Sequence, residues 1–299
     1  MTNRLFTEPQ LDCVAHSSFS SMLVTDLALK AWVEYGIEEA LPASGKLVEA
    51  YEKRPDSEAP KHAAYALAHE TEEMSLFEYL SQPGKEARAK RWRDMIAQSN
   101  NTPGYELKFT VEAYDWRSLT GLLVDVGGGT GDTAVALAKA FPNLKVIVED
   151  LPHVASEGEQ RMPVELKDRV SFAAHDFFQL QPDEVMARKP AAFVLRQVIH
   201  NYAEQYAKRI IKRIIPAMEK GSKMLIVDMV LPPPGALPPS MEKVVRMMDI
   251  EMMQSFNGVE REVEDWKMLL AATDKRLQVA SVNQPEGSAL SLIEVVLRS

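Results

Sequence analysis

Apolar positions in residues 1–117 recur at helical spacing: Met22, Leu23, Leu27 and Leu29 to Trp32 form one set, and Leu47, Val48 and Tyr51 another. A proline-bounded polar stretch, Pro55 to Pro60, separates two of the helices this predicts. The opening LFTEPQ followed by CVAH reads instead as a strand with no partner before it. At residue 122 the pattern changes. LLVDV (122–126) is a short apolar run without alternation, as expected of a parallel strand buried on both faces. Four more candidate strands follow at 146–150, 170–176, 191–199 and 223–231, with helical stretches at 132–141 and 203–218. Such alternation predicts βαβ units in a doubly wound α/β sheet. PPPGALPPS (232–240) predicts a mobile loop, and helices are expected at 244–256 and 263–273. Two closely spaced strands, 277–283 and 289–297, predict a hairpin that adds an antiparallel strand at or near the sheet edge. No internal repeat is present.

Composition narrows the function classes. The 299 residues are 46% hydrophobic and 26% charged, enough apolar material for a sizeable core. No stretch approaches the ~18 uncharged apolar residues needed to span a membrane, and the N-terminus lacks a signal peptide's apolar run. A single cysteine, Cys13, excludes a disulfide framework and a multi-cysteine zinc site, so a reducing, cytoplasmic location and no metal are expected. The net charge of −9 argues against nucleic acid or an anionic membrane as the main partner.

The most specific local signal is VDVGGGTGDT (124–133), in which Gly127, Gly129 and Gly131 alternate between a strand and a helix. Glycine is needed where the backbone turns sharply and a ligand approaches without an intervening Cβ. A dinucleotide fingerprint would place a further glycine where Asp132 stands, and a phosphate loop would need Gly-Lys-Ser/Thr. Asp125 and Asp132 would repel a pyrophosphate and favour a cationic ligand. Asp150, about twenty residues beyond the loop, is placed to accept ribose hydroxyls. Asp176 and Phe177 close the third predicted strand, offering an acceptor for an exocyclic amine and a ring face.

With EDLPHV (149–154), HDFF (175–178), LRQVIHNY (195–202) and NGVERE (257–262) in the same order, the chain resembles the family-2 O-methyltransferases of the caffeic acid type, in their fungal secondary-metabolite branch. The resemblance runs from residue 4 to the C-terminus. It implies a class I methyltransferase fold, a Rossmann-like seven-stranded sheet whose last strand is antiparallel, with S-adenosylmethionine as cofactor and S-adenosylhomocysteine as product. It divides the chain into a helical N-terminal region, 1–117, with the end of a winged helix, and a cofactor-binding domain, 118–299. By position, Gly127, Asp150, Asp176, Phe177 and Arg196 match the family's cofactor contacts; Asp125, Gly128, Gly129 and Leu151 beside them complete the expected cofactor site. His200 matches the catalytic base, and Asp228 and Glu260 match the acids that flank or orient it. Three departures stand out. The winged-helix and dimerisation region is short, so a homodimer would differ from the family's intertwined one. The usual His-Asp-Trp is His200-Asn201-Tyr202, and one glutamate position holds Asp228.

Methyl transfer to oxygen is an in-line displacement that needs a deprotonated oxygen, and imidazole has the pKa to act as the base. His200 falls at the end of the fourth predicted strand, at the edge where open α/β sheets bind ligands. A carboxylate on its far nitrogen, from Glu260 or Asp228, would fix the tautomer. His16 and His153 are weaker candidates, and KRIIKR (208–213) reads as a solvated helix face. Methionines 241, 247, 248, 252 and 253 either line a pocket for a flat apolar substrate or simply belong to the core. The expected function is methyl transfer to a hydroxylated aromatic or polyketide-like small molecule. The alternatives are a pericyclase that uses the sulfonium to polarise its substrate, and a non-catalytic partner subunit.

Overall fold

The computed structural model describes residues 4–71 and 74–298. An antiparallel hairpin comes first, β1 (Phe6–Gln10) against β2 (Cys13–His16). The segment read as one strand with no partner before it is therefore two strands that pair with each other. Asp12 makes this possible by taking the left-handed conformation, φ +61°, which aspartate tolerates better than most residues. Helices α1 (Ser18–Thr25), α2 (Leu27–Tyr35) and α3 (Leu41–Lys53) follow, with a π-helical turn at Gly36–Ala40 between the last two. After the proline-bounded stretch come α4 (Ala64–Ala68), α5 (Leu76–Leu80), α6 (Glu86–Ser99) and α7 (Leu107–Glu112).

Seven strands form the second half: β3 (Leu122–Val126), β4 (Lys145–Asp150), β5 (Val170–Ala174), β6 (Ala192–Arg196), β7 (Lys223–Asp228), β8 (Leu277–Asn283) and β9 (Ser291–Leu297). They are interleaved with α8 (Asp132–Ala140), α9 (Pro152–Arg161), α10 (Asp183–Ala187), α11 (Glu204–Ile214), α12 (Pro239–Phe256) and α13 (Val263–Thr273). The sheet order is β5-β4-β3-β6-β7-β9-β8; β3 to β7 run parallel, and β9 lies antiparallel between β7 and β8. Both the doubly wound sheet and its antiparallel final strand are as expected. Side chains alternate between two cores. Leu122, Val124, Phe193 and Leu195 pack with α11 and α13, whereas Leu123, Val148, Val194 and Val227 pack with α8 and Trp116. A third cluster joins Tyr65, Leu76 and Tyr79 of the helical half to Met252 and Phe256 of α12.

Several boundaries differ from expectation, β7 among them, which stops at Asp228 rather than 231, and three of them have a clear local reason. β5 stops at Ala174, so Asp176 and Phe177 lie in the turn beyond it. β6 stops at Arg196 because Gln197 takes φ +54° and bends the chain out of the sheet. α12 begins at Pro239, inside the proline-rich run, since proline at the first helical position loses no hydrogen bond. Among the described residues no helix is long and apolar enough to cross a membrane, and no three acidic, histidine or cysteine side chains are grouped to hold a metal ion.

Strand order reverses between β3 and β6, which are neighbours in the sheet although β4 and β5 intervene in the chain. Open α/β sheets form their ligand crevice at the carboxyl ends of such strands.

Candidate active site

The glycines after β3 serve different purposes. The amides of Gly127 and Gly128 both donate to the Glu149 carbonyl, at 2.8 and 3.1 Å, folding the turn over β4. A Cβ on Gly128 would come within 2.7 Å of the Asp125 carboxyl carbon and 2.8 Å of Val148 Cγ1, so this residue packs inward. Gly129, with φ +59°, has no atom within 4 Å of where its Cβ would lie, so its outward face is open. Its amide donates to Asp150 Oδ2 at 2.8 Å, while the Leu151 amide donates to Oδ1 at 2.7 Å. Each Asp150 oxygen keeps a second lone pair for an incoming hydroxyl.

Buried carboxyl groups lie beneath the turn. Burial pushes the Asp125 carboxyl up to about 7, against the pull of Arg196, and its Oδ2 is buried without a hydrogen-bond partner. Burial also raises Asp150 above the usual carboxylate range. A cationic ligand would compensate these groups, so the donor set fits a sulfonium-bearing nucleoside.

Arg196 lies beside Asp125, but its guanidinium is used by the helical half. It donates to Asn100 Oδ1 at 2.9 Å, the Tyr105 carbonyl at 2.8 Å and Thr110 Oγ1 at 3.3 Å. Asn100 in turn donates to Asp132 Oδ2 at 3.3 Å, so the segment after α6 is tied both to the end of β6 and to the start of α8, just past the glycine turn. Asp176 is exposed and accepts the Phe178 amide at 2.9 Å. Phe177 lies close over Gly127, 3.4 Å from where a Cβ would stand, and meets Tyr202 edge-on at 5.8 Å between centroids.

His200 sits not on a strand but on a 3-10 turn, Ile199–Asn201, immediately after the bend at Gln197. The Asn201 side chain ties that bend back by donating to the Gln197 carbonyl at 3.2 Å. The imidazole is buried, and its Nδ1 meets Glu260 Oε1 at 2.8 Å. Asp228, fully buried, instead accepts the His200 backbone amide at 3.3 Å. Of the two acids, Glu260 therefore orients the ring and Asp228 anchors its backbone. Burial disfavours the imidazolium, but Glu260 and Asp228 outweigh it and raise His200 to about 9. Burial raises Asp228 to about 7.

Sequence reasoning missed the residues that hold this pair together. Gly258 is pressed against the His200 turn, where a Cβ would lie 2.4 Å from the His200 carbonyl oxygen. The Val259 amide donates to that same oxygen at 2.9 Å. Arg261, fully buried, donates to the Tyr202 carbonyl at 2.8 Å and to Glu204 at 3.0 Å. An Asn-Gly pair after a helical run is a legible helix stop, and Asn257 does end α12 with φ +56°. A buried role for the next arginine had no signal.

The weaker candidates lie elsewhere. His16 is exposed and bonded to Ser20 at the start of α1. His153 is exposed on α9. Met252 is buried with Phe256 and Met248 packs on a core cluster, while Met241, Met247 and Met253 are exposed. The 208–213 face is not wholly solvated: Arg213 donates to the Phe178 carbonyl at 2.9 Å and Arg209 lies over the Phe178 ring.

Residues 71–274 match the model of a family described as the O-methyltransferase domain. The O-methyltransferase bik3 of Gibberella fujikuroi is 39% identical over 303 residues, covering 99% of this chain and 65% of the relative, so the chain spans about two thirds of that protein. Among solved structures, the mitomycin 7-O-methyltransferase MmcR superposes with a TM-score of 0.81 at 22% identity, covering 99% of this chain and 80% of its own. A pericyclic reaction enzyme superposes at 0.76 and 23% identity, covering 100% and 74%. Both likenesses concern the fold.

Proposed function

The chain belongs to the family-2 O-methyltransferases, and from that premise we propose that it methylates a hydroxyl of a flat aromatic or polyketide-like small molecule, with His200 as general base. The family's cofactor is S-adenosylmethionine, which when bound supplies an electrophilic methyl carbon on a sulfonium. Residues 118–299 hold it, and residues 1–117 complete the substrate side. Gly129 leaves the backbone open to the cofactor, Asp150 accepts its hydroxyls, and Asp125 with Asp132 supplies the negative field around its positive charge. Leu151 and Phe177 line the nucleoside, with Asp176 and Arg196 at its margins.

The observation that carries the reading is the 2.8 Å contact between His200 Nδ1 and Glu260 Oε1. With Nδ1–H donated to the carboxylate, Nε2 is the nitrogen that takes the proton from the substrate hydroxyl. Glu260 then stabilises the imidazolium as the oxygen attacks in line. On the substrate side, α12 meets the helical half through an aromatic cluster in which Phe77 stacks on Phe256 at 5.4 Å and Trp92 meets both edge-on. The test is incubation with cofactor labelled in its methyl group and a panel of hydroxylated aromatics. Label recovered in an ether product is expected; consumption of a substrate without label transfer would refute methylation.

The contacts of Glu260 and Asp228 with His200 also support a second reading. An imidazole held near 9 is protonated at neutral pH, and a fixed cation could polarise a substrate for a rearrangement instead. The same label separates the two, because a rearrangement leaves the methyl on the cofactor.

Cofactor binding has its own test. Gly129→Leu places a branched side chain in the open face and forces it into a left-handed conformation. Calorimetry is expected to detect no binding of S-adenosylhomocysteine by this variant up to about 1 mM. Binding equal to that of the unmodified protein would mean that the cofactor lies elsewhere.

A further inference from the structure

Asp249 is unexplained by the fold alone. It is half-buried on α12, where its Oδ1 accepts the backbone amide of Glu260 at 2.9 Å. Among the described residues no cation lies within ion-pair distance of it. The nearest cationic influence, Arg246, is turned to the Pro232 carbonyl and Glu242. Burial and the neighbouring Glu260 carboxylate both push its pKa up. An asparagine would accept the same amide hydrogen without like-charge repulsion, so the negative charge itself needs a reason.

We propose that Asp249 is a positioning residue for the reaction: it fixes the turn that carries Glu260 and adds negative charge behind the Glu260–His200 pair. The consequence is chemical. Charge behind Glu260 strengthens that carboxylate's hold on the imidazolium, which makes Nε2 a stronger base. Asp249 also links the pair to α12, whose Met252 and Phe256 pack on the helical half, so one helix joins the substrate side to the base. Facing His200 are Glu260 and Asp228 from β7; facing Glu260 in turn are Asp249 and Tyr105, from the segment before α7, and Arg261 lies close to Asp228.

This inference rests on the reading of His200 as base, but its test does not depend on turnover alone. The His200 imidazole is titrated by NMR in the unmodified protein and in Asp249→Asn, which keeps the hydrogen-bond acceptor and removes the charge. The imidazole pKa is expected to fall by roughly half a unit. The pH–rate inflection should move acid-ward with it, and the rate plateau above the inflection should drop up to about threefold with cofactor KM unchanged. An unmoved imidazole pKa overturns the proposal even if activity falls. Should Asp249→Asn fail to fold, Asp249→Ser gives the same titration. Failure of the base reading shows separately, as full turnover in His200→Ala.

Discussion

His200→Ala lowers kcat by roughly 10²–10⁴, the usual contribution of a general base, and leaves the affinity for S-adenosylhomocysteine within about twofold. The separation follows from where the contacts lie. The residues assigned to the cofactor are the glycine turn, Asp150 and the Phe177 wall, whereas His200 is bonded to Glu260 and anchored by Asp228. Glu260→Gln keeps the shape but cannot carry the charge, so its loss is smaller and its pH inflection falls toward the ordinary histidine value of about 6.5. Steady-state kinetics and calorimetry on both variants check this. Near-full turnover in His200→Ala with the true substrate removes the base assignment and favours the rearrangement.

Gly258→Ala is expected to damage both activity and stability, although glycine and alanine differ by one methyl group. That methyl would stand 2.4 Å from the His200 carbonyl oxygen and 2.8 Å from the Asn201 carbonyl carbon. Both are backbone atoms and cannot swing aside. The 257–261 turn must retreat, loosening the Val259 amide from the His200 carbonyl and drawing Glu260 away from Nδ1. Overpacking of this kind costs about 1–3 kcal/mol, read as a lower melting temperature. A misplacement near 1 Å costs turnover on the order of 10². Unchanged kinetics and melting would show that the close approach is not needed.

Much of the sheet was legible because buried parallel strands lack polar alternation, and runs as short as LLVDV or KMLIVD in regular alternation with helical stretches favour strand. The glycine turn was legible as well, including a face left open for a ligand, but the inward packing at Gly128 was not. Gly128 packs on its own strand's Asp125, a contact that appears only once the turn is folded. What the sequence hid are pairings across distance. Glu260 reaches His200 across 60 residues, and that contact exists because Asn257 ends α12 and Gly258 lets two turns touch. The strand end at Arg196 was misplaced because a left-handed glutamine gives no compositional signal. Arg261 and Asp249 look like surface charges in a linear pattern and prove to be buried or half-buried parts of the same assembly.

The most direct test of His200 as base is the pH dependence of methyl transfer, measured for the unmodified protein and His200→Ala. The reactive form is the neutral imidazole, so the rate rises with pH through the apparent pKa of the His200–Glu260 pair and then levels off. In kcat/KM for the cofactor, which reports the enzyme before the sulfonium binds, the inflection is expected well above 6.5 and near 9, where Glu260 and Asp228 hold the imidazole. In kcat it is expected lower, because the bound sulfonium repels the imidazolium. His200→Ala should lose both inflections. Profiles that are flat, or that coincide in the two proteins, would contradict the account.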